Sequence, residues 1–338
     1  MLEKPDIQDE KIITCLQETY GVVVVQITFL PLGADVNAAV YRAVADDEVV
    51  YFVKLRRGAF DEIAMTLPKF LSEQGITQII PPLETKVGQF WANLDAFKVV
   101  LYPFIEGNNA YAVNLLARHW RELGAALRQL HRASLPAALT QRIPQESYSP
   151  KWRESVKMFL GQLDESYVDP VAIKLAAFLK TKFAEIRDLV ERAERLALLL
   201  QTRPLELIVC HSDLHAGNLL IDTDGVLYIV DWDNPILAPK ERDLMFIGGG
   251  LGGAGHAPKE EEMLFYQGYG QTPVDPLALA YYRYERIIQD IAEFCEQIFL
   301  TNDGGADREQ SLYYMASMFL PGAVLEIACQ SDKSQGTV

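Results

Sequence analysis

The segment from His211 to Asn218, HSDLHAGN, places a carboxylate and an amide five residues apart, directly after the apolar run LIVC. Thirteen residues beyond Asn218 comes Asp231, after a stretch that contains an Asp-Gly hairpin signal. Transfer of a phosphoryl group to a hydroxyl needs a carboxylate that accepts the hydroxyl proton, and oxygen ligands that hold Mg²⁺ on the phosphates. Asp213 suits the first task. Asn218 and Asp231, delivered by the two arms of one hairpin, suit the second.

Two other interpretations use the same residues. Asp213 and Asn218 could cap a turn while Asp231 ends a strand, but the joint order of strand, loop, hairpin and Asp disfavours this. His211 and His215 flank Asp213 in an H-x-D-x-H arrangement that could bind zinc. The chain has five histidines, and the other three are distant in sequence. We therefore favour a kinase site well over a zinc site. We interpret His211 as a buried residue that braces the loop, and we leave His215 unassigned.

Lys54 lies near the end of a predicted strand, YFVKL, where a cation could project toward nucleotide phosphates. A lysine in a strand is usually only solvated, so the assignment depends on an acidic partner in the following helix. Asp61 and Glu62 are both available, and we choose Glu62 as the predicted ion-pair partner.

The first third of the chain is predicted to be mainly β-structure. Residues 21–55 contain GVVVVQITFL, NAAVYRAV and EVVYFVKL, which are rich in Val and Tyr and indicate three antiparallel strands. Residues 59–74 favour a helix that Pro68 kinks or divides. VGQFWANL and AFKVVLYPF indicate two further strands.

Helical periodicity replaces this pattern beyond Gly107. Residues 170–200 form one long, charged, periodic stretch, and an earlier stretch carries apolar residues at three-to-four spacing: Trp120, Leu123, Leu127 and Leu130. We therefore predict a nucleotide-binding lobe at residues 1–103 and a catalytic and substrate-binding lobe at residues 104–338.

Three glycine-containing or apolar segments bear on nucleotide binding. PLGADVNAAVY, between the first two strands, is where a phosphate-covering loop would lie, but it lacks G-x-G-x-x-G. VVLYPFIEG is apolar and ends at the lobe boundary, as expected of a hinge that offers backbone groups to adenine, although an edge strand followed by a turn fits equally well. GLGGAG at 250–255 does match the dinucleotide fingerprint, but ERDLMFIG before it indicates a helix start rather than a strand. We interpret GLGGAG as a flexible loop, and no P-loop motif occurs.

Composition and charge limit the classes of binding partner that this chain is expected to have. The formal net charge is −15. Residues 204–338 hold 21 acidic and 7 basic residues, so the net charge of this region is −14. Nucleic acid and anionic membranes need a positive footprint and are disfavoured as partners. An acidic region that also holds the chemistry favours a cationic substrate, although a solvated acidic surface would have the same composition.

The cysteines and the hydropathy pattern predict the compartment. The four cysteines lie far apart without a C-x-x-C pair, so they indicate neither a disulfide framework nor a cysteine zinc site. The sequence has no secretion signal and no apolar run of about 18 residues. We therefore expect a cytoplasmic protein.

HSDLHAGN and YIVDWD, with YFVKL upstream and YPFIEG at the hinge, resemble the aminoglycoside phosphotransferase and choline kinase family over most of the chain. Within that family, SPKWRE at 149–154 and APKERDLMFIGGG at 238–250 resemble the spectinomycin phosphotransferases, which are bacterial aminocyclitol kinases. The resemblance implies an α+β, bilobal protein-kinase-like fold with a β-rich N-terminal lobe and a mainly helical C-terminal lobe.

The resemblance also implies ATP and Mg²⁺ as cofactors. Seven positions match the family's motifs and take its roles: the catalytic base Asp213, the magnesium ligands Asn218 and Asp231, the α/β-phosphate contact Lys54 with its partner Glu62, and the adenine-binding backbone at Pro103 and Ile105. The sequence departs from protein kinases in having DWD instead of DFG and in lacking the Gly-rich loop.

These observations predict an ATP-dependent O-phosphotransferase that acts on a hydroxyl of a small cationic aminocyclitol or aminoglycoside such as spectinomycin. A kinase of another amino alcohol or of a sugar fits the same residues. A catalytically silent nucleotide-binding scaffold is disfavoured because each expected catalytic position is filled. A dehydrogenase would depend on GLGGAG alone.

Overall fold

A five-stranded antiparallel sheet forms the first part of the chain in the computed structural model, which describes residues 3–33, 37–58, 60–251, 256–301 and 305–333. The strand order is β1-β2-β3-β5-β4. In chain order the strands are β1 (Val24–Leu30), β2 (Ala38–Ala45), β3 (Val50–Arg57), β4 (Ala92–Leu94) and β5 (Phe97–Pro103). The three antiparallel strands predicted for residues 21–55 are therefore confirmed as β1 to β3.

The period of two along β3 decides which side chains reach the cleft. Val53 and Leu55 are fully buried in the core. Phe52, Lys54 and Arg56 alternate with them and lie on the opposite face of the sheet. Helix α1 (Asp9–Cys15) packs on the buried face of the sheet and continues as a π-helical turn, Leu16–Tyr20.

The predicted strand VGQFWANL is shorter than expected. Only its last residues form β4, because the chain turns at residues 85–89, where the Thr85 N–H donates to the Gln89 carbonyl over 2.7 Å. Gly88 adopts a positive φ of 78° in this turn, a conformation that glycine reaches without a steric penalty.

Helix α2 (Ile63–Glu73) follows β3 and corresponds to the helix predicted at 59–74. Pro68 lies inside it without dividing it. Three buried residues of α2 belong to the large core of the helical part rather than to the core beneath the sheet: Ile63, Leu67 and Leu71. The division of the chain at residue 103 stays a prediction, and α2 contributes to the core on the far side of that boundary.

The rest of the chain is mainly helical, as predicted. The helices are α3 (Ala117–His131), α4 (Ala137–Thr140), α5 (Lys151–Gly161), α6 (Pro170–Gln201), α7 (Glu241–Leu244), α8 (Pro258–Tyr269), α9 (Pro276–Leu300), α10 (Gly305–Ser317) and α11 (Val324–Lys333). Asp169 caps the start of helix α6: its carboxylate accepts the Ala172 N–H over 2.7 Å. Pro170 occupies the first turn, where a proline costs no hydrogen bond.

Two small sheets lie among these helices. Strands β6 (Gly107–Asn109), β8 (Leu219–Asp222) and β9 (Leu227–Ile229) form one of them, and β7 (Ile208–Cys210) pairs with β10 (Ile236–Ala238) in the other. The backbone N–H of Ile229 donates to the Gln78 carbonyl over 2.8 Å. The segment that follows α2 is therefore attached to the hairpin formed by β8 and β9.

Helices α3 and α8 approach each other through two glycines. A Cβ atom at Gly124 would lie 2.2 Å from the Phe265 carbonyl oxygen, and one at Gly268 would lie 1.9 Å from the Arg121 carbonyl oxygen. Only glycine allows backbones to come this close. The C-terminal residues of the two helices, His131 and Tyr269, meet at a hydrogen bond of 2.8 Å.

Among the described residues, no helix combines the length and apolar character needed to cross a membrane.

Candidate active site

The loop between β7 and β8 carries Asp213, and the hairpin of β8 and β9 brings Asn218 close to Asp231. Asn218 ends the 3-10 turn Ala216–Asn218 directly before β8. Its carbonyl accepts the Val230 N–H over 3.0 Å, at the end of β9. The two arms of the hairpin therefore deliver Asn218 and Asp231 to the same end of the small sheet.

A buried carboxylate holds this loop in place. Asp243 in α7 accepts the backbone N–H groups of His211 at 3.0 Å and Ser212 at 2.6 Å. His131 donates its Nε2 proton to Asp243 over 3.0 Å, and Tyr269 bonds to the other ring nitrogen. Burial alone would raise the pKa of Asp243, but the hydrogen bond and charge of His131, together with His211 and the Ser212 N–H, lower it. An ionised carboxylate with these donors can stabilise the positive φ of 71° at Ser212.

His211 is the buried brace that the sequence predicted, with 1% of its surface exposed. Its Nε2 donates to the Val230 carbonyl over 3.0 Å, and its Nδ1 accepts the Asp213 N–H over 3.2 Å. Both ring nitrogens are thus occupied by backbone groups. A zinc site at His211 and His215 would need one of these bonds to break, so the geometry disfavours it.

Asp213 lies at the edge of the cleft, with 24% of its side chain exposed. Its Oδ1 accepts a hydrogen bond of 2.7 Å from Arg286 in α9, and His215 Nε2 lies 3.8 Å from the same oxygen. Burial is the largest single influence on the pKa of Asp213 and raises it, but Arg286 together with the nearby His215 and His211 brings the pKa below its usual value. Asp213 is therefore ionised at neutral pH, as a proton acceptor must be.

The donor set at Asn218 and Asp231 fits a hard divalent cation. The Asn218 Nδ2 donates to the Asp213 carbonyl over 2.8 Å, which directs the amide oxygen away from that carbonyl. Asp231 adopts a positive φ of 65°. Burial would raise its pKa, but the charge and hydrogen bond of Lys54, together with smaller contributions from His211 and Asp233, lower it. One amide oxygen and one ionised carboxylate are ligands that Mg²⁺ prefers.

Lys54 joins the sheet to the catalytic hairpin. Its Nζ lies 2.9 Å from Asp231 Oδ1 and 2.7 Å from Asp233 Oδ2. Although burial would lower the pKa of Lys54, the two carboxylates raise it above its usual value. Arg56 also contacts Asp233. Lys54 and Arg56 therefore bring two cations to the face of β3 that meets Asp231.

The predicted ion pair between Lys54 and Glu62 is not among the contacts of the described residues. Glu62 instead accepts a hydrogen bond of 3.3 Å from Trp91 Nε1, and its other oxygen lies 3.2 Å from Arg142. Because α2 packs on the large core, Glu62, the residue before the helix, pairs with Arg142 of that part of the chain rather than with β3.

Strand β5 leads into the segment predicted to be the hinge. Pro103 ends β5, paired with Tyr51, and the Phe104 N–H donates to the Val50 carbonyl over 3.1 Å. Ile105 follows as the chain leaves the sheet. Three aromatic rings line this end of the cleft face: Phe52, Tyr102 and Phe104.

The two glycine loops are only partly within the described residues. In PLGADVNAAVY, residues 34–36 lie outside them, and in GLGGAG, which we interpreted as a flexible loop, residues 252–255 do. The helix start predicted at ERDLMFIG is confirmed as α7.

Sequence reasoning missed three residues of this site. Arg56 could have been found, because it is two residues from Lys54 on a strand and so shares its face. Asp243 lies in the run at 238–250 that carried the resemblance, but its role as a brace had no local signal. Arg286 is 73 residues from Asp213 and had none either.

A β-sheet joined by a hinge segment to a helical part, with the catalytic loop and hairpin facing the sheet, defines a protein-kinase-like small-molecule phosphotransferase. The chain belongs to the phosphotransferase enzyme family (APH), which matches residues 28–271. A comparison with proteins of curated function finds no match.

Solved structures support the same assignment. The complex of spectinomycin phosphotransferase APH(9)-Ia with ADP and spectinomycin is 39% identical, with a TM-score of 0.89, over 97% of this chain and 99% of that chain. The AMP-bound complex of that enzyme is 38% identical, with a TM-score of 0.84, over 95% and 98%. Amicoumacin kinase hAmiN, bound to AMP-PNP, Ca²⁺ and Ami, is 16% identical with a TM-score of 0.64 over 95% and 94%, which supports the fold alone.

Proposed function

We propose that this enzyme transfers the γ-phosphoryl group of ATP to a hydroxyl of a cationic aminocyclitol such as spectinomycin. The observation that carries the proposal is the joint geometry of Asp213, Asn218 and Asp231 with Lys54, in a chain 39% identical over 97% of its length to an enzyme solved with ADP and spectinomycin.

Asp213 is the proposed catalytic base. It is ionised, because the positive charge of Arg286 lowers its pKa, and it is open to the cleft. A hydroxyl that reaches Asp213 can transfer its proton to the carboxylate as its oxygen attacks the γ-phosphorus. The neighbouring His215 is neutral near pH 7, since burial lowers its pKa more than Asp213 raises it, so it leaves Arg286 as the cation that contacts the proposed base.

The proposed nucleotide site lies between the sheet and the hairpin. Lys54 and Arg56 supply positive charge for the phosphates, and the backbone at Pro103 and Ile105 is the proposed contact for adenine. Asn218 and Asp231 would hold Mg²⁺, together with the phosphate oxygens. When bound, the metal would neutralise charge on those oxygens.

The proposed acceptor side of the cleft is negatively charged. Helix α9 presents Asp290 and Glu293, whose carboxylates lie close enough to Asp213 for its charge to contribute to raising the pKa of both. For both groups, burial is the larger cause of the raised pKa. Spectinomycin carries two secondary amines that are protonated near neutral pH, so its charge complements this side of the cleft.

A coupled ADP-release assay with Mg-ATP tests the proposal against spectinomycin, other aminoglycosides, choline and neutral sugars. Asp213→Ala should lower turnover roughly 100- to 10,000-fold, while nucleotide binding persists, because only the base is removed. Asp224→Ala is the matched control, because Asp224 is exposed at the tip of the same hairpin. Wild-type turnover in the Asp213 variant would contradict the assignment.

The substrate panel separates the proposed acceptor from the alternative. Turnover with choline or a sugar, but not with spectinomycin, would replace the substrate while leaving the base and fold unchanged. The absence of turnover with every acceptor would contradict the proposed function and favour a nucleotide-binding scaffold.

A further inference from the structure

Arg286 bridges two carboxylates from the middle of helix α9. Its Nη1 donates to Asp213 Oδ1 over 2.7 Å, and its Nε lies 3.0 Å from Oδ1 of Asp290, one turn further along the helix. The arginine side chain is 22% exposed, so the bridge is largely shielded from solvent. A guanidinium presents its donors in a rigid plane, so two contacts fix its orientation.

Helix α9, which carries Arg286, is packed firmly into the large core. Ile287, Ile288 and Ile291 are at most 2% exposed and belong to the large core. The guanidinium also lies 6.0 Å from the centre of the Phe246 ring. Arg286 therefore joins Asp213, which lies on a loop, to a helix that is packed into the protein.

The bridge makes the two oxygens of Asp213 unequal. The contacts from Arg286 and His215 both reach Oδ1. In the described part of the chain, Oδ2 has no hydrogen bond or ion pair, and part of the side chain remains exposed. The carboxylate is thus oriented with one oxygen anchored and the other available to an acceptor hydroxyl.

We propose that Arg286 is a positioning residue for phosphoryl transfer: it fixes the Asp213 carboxylate so that Oδ2 faces the acceptor hydroxyl, with Asp290 fixing Arg286 in turn. The inference rests on the proposed function, because it assigns a role at the same base. Its energetic basis is orientation, since a misplacement of about 1 Å at a reacting group can cost roughly 100-fold in rate.

The test measures kcat and both KM values for Arg286→Gln, Arg286→Lys and Asp290→Asn. Arg286→Gln should lower kcat roughly 10- to 100-fold and leave the KM for ATP unchanged, because Asp213 is mispositioned while the nucleotide site is intact. Arg286→Lys should recover part of kcat, since an ammonium can reach Asp213 but cannot bridge both carboxylates in one plane. If Arg286→Gln does not fold, Arg286→Lys alone decides: an intermediate kcat with an unchanged KM for ATP supports the role, and wild-type kcat overturns it.

A double-mutant cycle tests whether Asp290 acts on Asp213 through Arg286. The variant with both Arg286→Gln and Asp290→Asn should lose no more kcat than Arg286→Gln alone, because Asp290 acts through Arg286. Additive losses would overturn the proposal. Glu296→Gln, which removes a carboxylate further along α9, should keep wild-type kcat.

Two failures are distinguishable. A wild-type enzyme that phosphorylates no amine acceptor overturns the proposed substrate class. A wild-type enzyme active with any acceptor, together with an Arg286→Gln variant that is equally active or faster, overturns the positioning role, because the arginine would then hinder the base or do nothing to it.

Discussion

Lys54 is shared by two carboxylates rather than paired with one. Asp231 and Asp233 both lie within 2.9 Å of its ammonium group, and Arg56 adds a second cation at Asp233. Each charged group in this cluster lies beside a group of opposite charge, and this pairing offsets part of the cost of removing both from water. The anionic phosphates of a nucleotide can therefore enter a site where cations already occupy fixed positions.

The different partners of Lys54 and Glu62 give a prediction. Lys54→Gln should lower kcat/KM for ATP roughly 100-fold, because a cation fixed beside the phosphates is lost. Glu62→Gln should stay within about fivefold of the wild type, because its contacts to Trp91 and Arg142 are near the surface and such pairs contribute at most about 1 kcal/mol. Steady-state kinetics with varied ATP measures both.

The pair of variants is its own control, since each replaces a charged side chain by glutamine. A loss in Glu62→Gln as large as that in Lys54→Gln would contradict the geometry and revive the ion pair predicted from sequence.

Spacing along the chain was enough to predict that Asp213, Asn218 and Asp231 lie close together, because the loop and hairpin that bring them together are local in sequence. It could not choose the partner of Glu62, since that choice depends on which core α2 packs against. The contact from Arg286 to Asp213 joins two segments 73 residues apart, and no periodicity of either segment encodes it.

At the scale of elements, the crossing of α3 and α8 supports the catalytic loop. The two helices end at His131 and Tyr269, which bond to each other, and His131 holds Asp243 beneath the loop. The close approach at Gly124 sets where these ends lie. If the crossing of the two helices changed, the buried hydrogen bonds from Tyr269 through His131 to Asp243 would shift the loop that carries Asp213.

Gly124→Ala should lower the free energy of unfolding by about 1 to 3 kcal/mol, because its methyl group would meet the Phe265 carbonyl at 2.2 Å. Thermal or urea unfolding measures the change. Gly161→Ala, at the end of α5 with no neighbouring atom within 4 Å of an added Cβ, is the matched control and should be as stable as the wild type or more so. An unchanged stability of Gly124→Ala would mean that the helices separate without cost.

The elements themselves were predictable to the extent that their periodicity is undisturbed. Strands β1 to β3 and helix α6 follow directly from alternation and from a 3.6-residue repeat. The predicted strand VGQFWANL was too long because a turn at residues 85–89 interrupts it, and α2 continues through Pro68 because its apolar face is buried in the large core. Tertiary packing decided that case against local propensity.

At the scale of the molecule, one buried ion pair makes stability depend on pH. Glu285 is 5% exposed and lies 3.3 Å from Arg153. Burial raises the pKa of Glu285 to about 7, against the opposing effect of Arg153. The folded protein thus binds this proton more tightly than the unfolded chain does. The corresponding stabilisation is complete below about pH 4.5 and is lost as the pH rises toward 7.

Glu285→Gln should remove this dependence. Between pH 5 and pH 8, the wild type should lose about 1 to 3 kcal/mol of unfolding free energy more than the variant does, since each pKa unit corresponds to about 1.4 kcal/mol. Urea unfolding at both pH values measures the difference. Glu309→Gln, at an exposed position, should keep the wild-type difference, and an equal pH dependence in wild type and Glu285→Gln would contradict the raised pKa.

The attachment of α2 to the large core bears on how this enzyme can be controlled. In protein kinases, moving the corresponding helix makes or breaks a lysine–glutamate pair and so switches activity. Here, within the described residues, Glu62 is held by Trp91 and Arg142, and the segment after α2 is bonded to the catalytic hairpin. A swing of α2 therefore offers no switch at Lys54. The activity of an enzyme without such a switch is set by the amounts of enzyme and substrate present rather than by the position of a helix.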